Sequence, residues 1–572
     1  MLLKIKSSIS ILLFLFITTQ IQAQLMAPKN KFTRQDTLRG SLLPERTWWD
    51  VTMYRLEMTP NLQKFSITGK NTILFRIVKT PRNRMQIDLQ EPMLIDSARL
   101  NNIPVTFSQE GNAWFINLPQ QKMPRSLPQN QLPGKDPLQQ LEIWYQGVPK
   151  PALRAPWDGG IVWSKDKKGN PWIGTACQGL GASVWWPCKD HQSDEPDSVS
   201  VAVTVPDTLM NISNGRLRNV TSNGNQTKTY TWFVSQPINT YNVTMNIGKY
   251  VHFSDTLQGE KGTLDLDYYV LEYNLEKAQK QFQQVKPMLH AFEYWFGPYP
   301  FYEDGYKLVE TSYLGMEHQS AVAYGNQYMN GYRGTDLSGT GRGKNWDFII
   351  IHESGHEWFG NNISTKDVAD MWVHEGFTNY SETLYITYLY GTEAGNEYVQ
   401  GIRKNISNDK PVIGPYDVNK EGSGDMYYKA SNLIHMIRQI TDNDSLFRQL
   451  LRDMNQRYYH STVTSAEIEA FLSARTGYNL KKTFDQYLRT TQVPSLEYYT
   501  TELNGALMLH YRWAQCIEGF NMPIKLPGGP GKYGLLLAST NWQQLRTSFT
   551  TMDELTKALD KNFYVTYKQV QQ

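Results

Sequence analysis

Two histidines four positions apart, His352 and His356, stand in the segment Phe348-Ile-Ile-Ile-His-Glu-Ser-Gly-His-Glu-Trp358. On a helix, side chains at i and i+4 leave from one face, so both imidazoles can share one cation. Glu375, in Trp372-Val-His-Glu-Gly-Phe377, follows at a distance that lets a second helix pack back and present a carboxylate. Two imidazoles and one carboxylate form the ligand set of a catalytic zinc ion that keeps a fourth position open. The same trio suits non-haem iron. Glu353 separates the two chemistries: it adjoins a ligand but points off the metal, where it can take a proton from water, as a zinc hydrolase requires and an iron oxygenase does not. The expectation is one zinc per chain on His352, His356 and Glu375, with Glu353 as the base that passes its proton to a leaving amine. The plain alternative is a helix carrying two solvated or core-packed histidines.

Helices must deliver these residues, and the sequence changes period before it reaches them. Over residues 47–252 short alternating runs, such as Ile73, Phe75 and Ile77 inward against Leu74, Arg76 and Val78, are separated by turn residues, the pattern of antiparallel sheets. From Leu275 the apolar residues recur at steps of three and four, through Ala278, Phe282, Val285, Leu289, Phe292 and Phe296, and stop at Gly297-Pro298. This reads as one amphipathic helix kinked at Pro287. Helical patterning continues to about Leu488, with a start at Ser465 and Glu467 and Glu469 in its first turn. After Pro494 strands return at 507–513, 533–537 and 563–567, with Asn504-Gly505 as a hairpin turn. Gly339 to Asn345 imitates a phosphate-binding loop, but Ser338 replaces its first Gly and Asn345 its Ser or Thr, so it reads as a flexible loop.

The 572 residues, 40% apolar and 13% aromatic, can fill more than one core. We therefore expect a signal peptide at 1–23, an N-terminal antiparallel β domain at 24–254, an α-rich catalytic domain at 255–492 and a small C-terminal β-sandwich at 493–572. Lys4 and Lys6 precede an apolar run at 9–17, and Ala23 offers a cleavage point before Gln24. The run is shorter than the roughly 20 residues that span a bilayer, and no Cys follows the cleavage point for a lipid anchor. An exported protein, periplasmic or secreted, without an integral membrane segment after cleavage, is the consequence. A net charge of +3 gives no reason to expect nucleic acid or an anionic membrane as partner. Cys177, Cys188 and Cys516 are too few and odd in number for a disulfide framework; Cys177 and Cys188 are either paired or free buried thiols.

Taken together, the motifs resemble the aminopeptidase N family of zinc metallopeptidases, the gluzincins, which include leukotriene hydrolase. The resemblance runs over most of the chain. It rests on His352-Glu353-x-x-His356 with Glu375 in Trp-x-x-Glu-Gly-Phe, on Gly315-Met316-Glu317, on Trp186-Pro187-Cys188-Lys189-Asp190, on Tyr427-x-Lys429 and on Phe484-Asp485-Gln486-Tyr487-Leu488. It implies a thermolysin-like catalytic domain and peptide substrates with a free N-terminus. It further implies that Glu317, with Gly315 and Met316, binds the substrate α-amine, that Tyr427 stabilises the oxyanion, that Gln178 supports the amine site and that Glu382 orients a metal-bound imidazole. A fixed anion close to the metal selects a chain end over a chain interior. Leu314 and His318 replace the family's Gly and Asn around this motif, and Ala176 stands where relatives often have Gln. Many relatives continue into a large helical domain that roofs the cleft, whereas this sequence ends at Gln572, so a more open cleft, or one closed by another chain, is expected. A zinc endopeptidase, to which an amine anchor is useless, and an inactive binding protein on the same fold are the rival readings.

Overall fold

The computed structural model describes residues 32–119 and 138–571; the expected signal peptide lies outside them. The alternating runs of the first part assemble into an eight-stranded sheet. Its strands run in the order Arg216–Ser222, Thr227–Val234, Ser198–Pro206, Trp49–Asn61, Ser66–Ile77, Gln139–Gly147, Leu94–Leu100, Ile103–Val105. Ile73 and Phe75 are fully buried while Val78 is exposed, as the two-residue period requires. Neighbours are antiparallel except Trp49–Asn61 and Ser198–Pro206, which run parallel with Met53 facing Ser198. The core beneath holds Trp49, Trp185 and Trp186, and it extends to Tyr313 and Met316 of the following region.

A second sheet, ordered Tyr250–Gly259, Gly262–Leu271, Tyr306–Glu310, Val322–Tyr324, Gly315–Met316, opens the helical part. The expected long helix is broken upstream of Pro287. It consists of Leu275–Gln281, a 3-10 turn at Phe282–Gln284 and helix α1, Val285–Phe296. Pro287 therefore falls in the first turn of α1, where its missing N–H has no intrahelical partner to lose. Three further helices carry the site: α2 (Phe348–Gly355), α3 (Trp372–Tyr390) and α4 (Tyr428–Thr441). Glycines let them approach closely. A Cβ on Gly355 would stand 2.5 Å from Ser381 Oγ of α3, and one on Gly376 2.7 Å from Ala430 Cβ of α4.

The last part forms a sheet ordered Gln543–Arg546, Ala506–Ala514, Ser495–Leu503, Thr566–Gln569 and a hairpin of Pro523–Gly529 with Lys532–Leu537. Asn504 and Gly505 both take positive φ, 53° and 73°, as the hairpin turn demands. The final strand lies a few residues beyond the expected 563–567, because Phe563 is committed to the core. Leu496, Trp513 and Phe520 share one apolar cluster with Phe484 and Tyr487, so this part has its core in common with the helices. Among the described residues the three cysteines are free, and no helix is long and apolar enough to cross a membrane. The glycine-rich run at 339–345 is a loop gathered on Asp336, whose carboxylate accepts from Ser338 and from Gly341 N.

Candidate metal centre and active-site cleft

The start of α2 is fixed by Asp347, whose carboxylate accepts from the backbone N–H of Ile349 and Ile350. Tyr324, Gln281 and Asn326 donate to the same carboxylate, so the helix is tied to its surroundings at the end that precedes His352. Glu375 Oε2 on α3 stands 3.7 Å from His352 Nε2 and 3.4 Å from His356 Nε2, and all three side chains are buried. The other face of each ring is engaged. His352 Nδ1 donates to Glu382 Oε1 at 2.8 Å, and His356 Nδ1 to the Phe359 carbonyl at 2.9 Å. These bonds put the ring proton on Nδ1 and leave a lone pair on each Nε2. Glu375 Oε2 has no hydrogen-bond partner among the described residues. Three lone-pair-bearing atoms thus converge within 4.8 Å in a buried place, an arrangement that repels itself until a cation sits between them. The set fits a divalent metal that favours nitrogen and carboxylate ligands.

Glu382 is itself held, accepting from Asn379 Nδ2 at 2.9 Å and from the Tyr398 hydroxyl at 2.6 Å. Gln178, from the N-terminal part, donates to Glu375 Oε1 at 2.9 Å, so its amide steadies the carboxylate ligand.

A second group of converging atoms comprises Glu317, Glu353 and His356. Glu353 receives no hydrogen bond among the described residues, and burial pushes its carboxyl up to about 7 against the pull of His352 and His356. A bound cation would add to that pull and favour the carboxylate. Gly315, on the edge strand, closes over it: a Cβ there would stand 2.6 Å from Glu353 Oε1. Glu317 accepts from the Tyr241 hydroxyl at 3.1 Å, and its own carbonyl accepts from Asn361 Nδ2 at 2.9 Å. Burial raises the Glu317 carboxyl, His356 opposes the rise and Glu375 adds to it. His318 beside it is fully buried, and desolvation pushes its imidazole down to about 3, so it stays neutral.

The Tyr427 ring lies over His352, centroids 6.1 Å apart. Burial and the neighbouring carboxylates raise its hydroxyl well above the ordinary phenol value, so it remains a proton donor at neutral pH. Lys429, two positions on, turns away and donates to the Thr490 carbonyl. His352, His356, Glu375 and Glu353 border one cleft of about 900 Å³, whose walls also include Gln178, Gly315, Met316, Glu317, Tyr427 and Glu421.

Comparison with known families matches the peptidase family M1 domain over residues 273–487 and the peptidase M1 N-terminal domain over 51–242. The chain belongs to peptidase family M1. Among curated M1 relatives, leukotriene A-4 hydrolase of Xenopus laevis is 24% identical over 61% of this chain and 58% of its own length. Puromycin-sensitive aminopeptidase of Caenorhabditis elegans is 20% identical over 79% of this chain and 48% of its own. The chain thus spans about half the length of the curated relatives it matches. A crystal structure of the M1 zinc metallopeptidase of Deinococcus radiodurans shares the fold, with a TM-score of 0.62 at 20% identity, over 79% of this chain and 95% of that one.

The ten site residues expected from this M1 sequence all border the cleft or touch a residue that does. Sequence reasoning missed Tyr241 and Asn361, which hold Glu317, and Tyr398, which holds Glu382. None has a local signal, because each acts on a partner carried by a different element. Asp347 did carry one: an Asp directly before an apolar helical run is an N-cap signature.

Proposed function

We propose that this chain is a zinc-dependent aminopeptidase, which removes single N-terminal residues from peptides with a free α-amine. The observation that carries the reading is the Glu317 carboxylate, buried, held by Tyr241 and converging with Glu353 and His356 beside the ligand set. A buried anion there rewards a protonated chain end and leaves a chain interior uncompensated.

His352, His356 and Glu375 would hold the metal, through the two Nε2 atoms and a carboxylate oxygen. Zinc, when bound, supplies a Lewis acid that lowers the pKa of water from 15.7 to about 7 and polarises a carbonyl. Glu317 fixes the α-amine, with Gly315 and Met316 as the peptide-binding edge. Glu353 accepts a proton from the attacking water and delivers it to the nitrogen of the departing amine, the step that makes the C–N bond breakable at neutral pH. The Tyr427 hydroxyl, still protonated, donates to the carbonyl oxygen as negative charge gathers on it. Gln178 and Glu382 act one layer out, orienting Glu375 and His352 respectively. Names among the relatives support the reading: several are aminopeptidases, and a variant of the Deinococcus radiodurans metallopeptidase is described bound to a Tyr-Ser-Ala substrate. The basic and apolar N-terminal segment, with cleavage before Gln24, supports a place outside the cytoplasm, periplasmic or secreted.

The test is a panel of aminoacyl fluorogenic amides given to the purified protein together with its metal analysis. Release of fluorophore with about one zinc per chain is expected; no hydrolysis of any member by zinc-replete protein would refute the reading.

A further inference from the structure

Of the carboxylates bordering the cleft, Glu375 is engaged by Gln178 and the imidazoles, Glu317 by Tyr241, and Glu353 faces the ligand set. Glu421 is different. It borders the same cleft and is half-buried, yet among the described residues no hydrogen bond and no ion pair within 4 Å reaches its carboxylate. Two buried carboxylates outside the cleft are supplied with donors: Glu310 accepts from Leu271 N and Asn274, and Glu357 from Ser320 N. Glu421 belongs to neither group of converging ligand atoms.

Its position is rigid. A Cβ on Gly422 would fall 1.9 Å from the Val412 carbonyl oxygen, and one on Gly414 2.4 Å from that of Lys420, so the backbone that carries Glu421 is pressed against the 412–414 segment. On the other side Glu421 Oε1 is 3.5 Å from where a Cβ of Gly179 would stand, so a residue without a side chain, next to Gln178, faces the carboxylate. Two lysines share the cleft wall. Lys410 attracts Glu421 only from beyond ion-pair distance and is exposed, and Lys420 places its Nζ over the Phe32 ring. Burial, with Glu375 and Glu317 adding to it, pushes the Glu421 carboxyl up to about 7. An anion so placed is costly until a cation arrives.

We propose that Glu421 determines specificity for the first substrate residue, selecting peptides that begin with arginine or lysine. The proposal rests on the aminopeptidase reading, since it takes the α-amine to be at Glu317 and the first side chain to enter the remaining cleft. A guanidinium or ammonium at the end of a long side chain would supply Glu421 with charge-assisted donors. A leucine or phenylalanine would cover the carboxylate and give nothing back, and a site with an unpaired polar group discriminates strongly on that ground.

The experiment compares kcat/KM for arginyl and citrullyl aminomethylcoumarin, whose side chains differ in charge and scarcely in shape, in wild type and Glu421→Gln. Calorimetric binding of argininamide and citrullinamide is measured alongside. The expected wild-type preference for arginine is about tenfold or more, and most of it disappears in the variant. Equal efficiencies in the wild type, or a preference that survives Glu421→Gln, would overturn the proposal. If neither amide is hydrolysed while other aminoacyl amides are, the proposal is overturned; if no aminoacyl amide is hydrolysed, the aminopeptidase reading falls, and the calorimetry decides about Glu421 alone. Tighter binding of argininamide that depends on Glu421 sustains it, and equal binding of the two amides overturns it.

Discussion

At the scale of single residues the site is an exercise in keeping protons where they are useful. His352 and His356 each spend Nδ1 on a fixed acceptor, so their Nε2 atoms face Glu375 as lone pairs. Glu353 is buried with no donor of its own, which makes it a proton acceptor near neutrality. Glu353→Gln should therefore retain zinc, measured by elemental analysis, while kcat falls about 10² to 10⁴-fold; loss of the metal would mean that Glu353 is a ligand. These four residues were readable in the sequence because i, i+4 geometry is local and a returning helix needs only length. Tyr241 and Glu421 were not. One tyrosine among 34 and one glutamate in a loop acquire meaning only from what the fold sets beside them.

At the scale of elements, α2 is gripped from both sides: the edge strand Gly315–Met316 covers Glu353, and α3 packs against it at Gly355. Gly315→Ala would place a methyl carbon 2.6 Å from Glu353 Oε1 and displace the base. A shift of about 1 Å in a reacting group costs on the order of 10² in rate. A loss of that size in kcat is the outcome to look for; wild-type turnover would show that the strand does not set the base. Most elements followed from periodicity, and local residue types gave the helix start at Ser465, which the structure caps with Thr464, and the Asn504-Gly505 turn. The kink did not, because Pro287 near a helix start is harmless and the break falls at Phe282–Gln284 instead. The parallel pairing of Trp49–Asn61 with Ser198–Pro206 likewise joins strands far apart in the chain, and no local pattern announces it.

At the scale of the whole molecule, the cleft lies where two cores meet. Met316 belongs to the apolar cluster of the N-terminal part, Phe348 and Ile349 to that of the helices, and Glu317 and Glu353 stand between them. The ligand set draws on α2 and α3 and is steadied from the N-terminal part through Gln178. Metal binding should thus stabilise the assembled molecule: zinc at a hundredfold its Kd contributes about 2.7 kcal/mol. Chelation is expected to lower the melting temperature and abolish activity together, with zinc restoring both; an unchanged melting temperature on verified metal removal would contradict a site buried at this junction. The claim that organises the whole account is that Glu317 receives a free α-amine, and one comparison tests it most directly: cleavage by the wild type of a good peptide substrate and of its N-acetylated form. The account predicts that acetylation removes almost all cleavage, and that Glu317→Ala costs roughly 2 to 4 kcal/mol in kcat/KM on the free peptide while eroding this preference. Comparable cleavage of the free and acetylated peptides would contradict it and make the protein an endopeptidase.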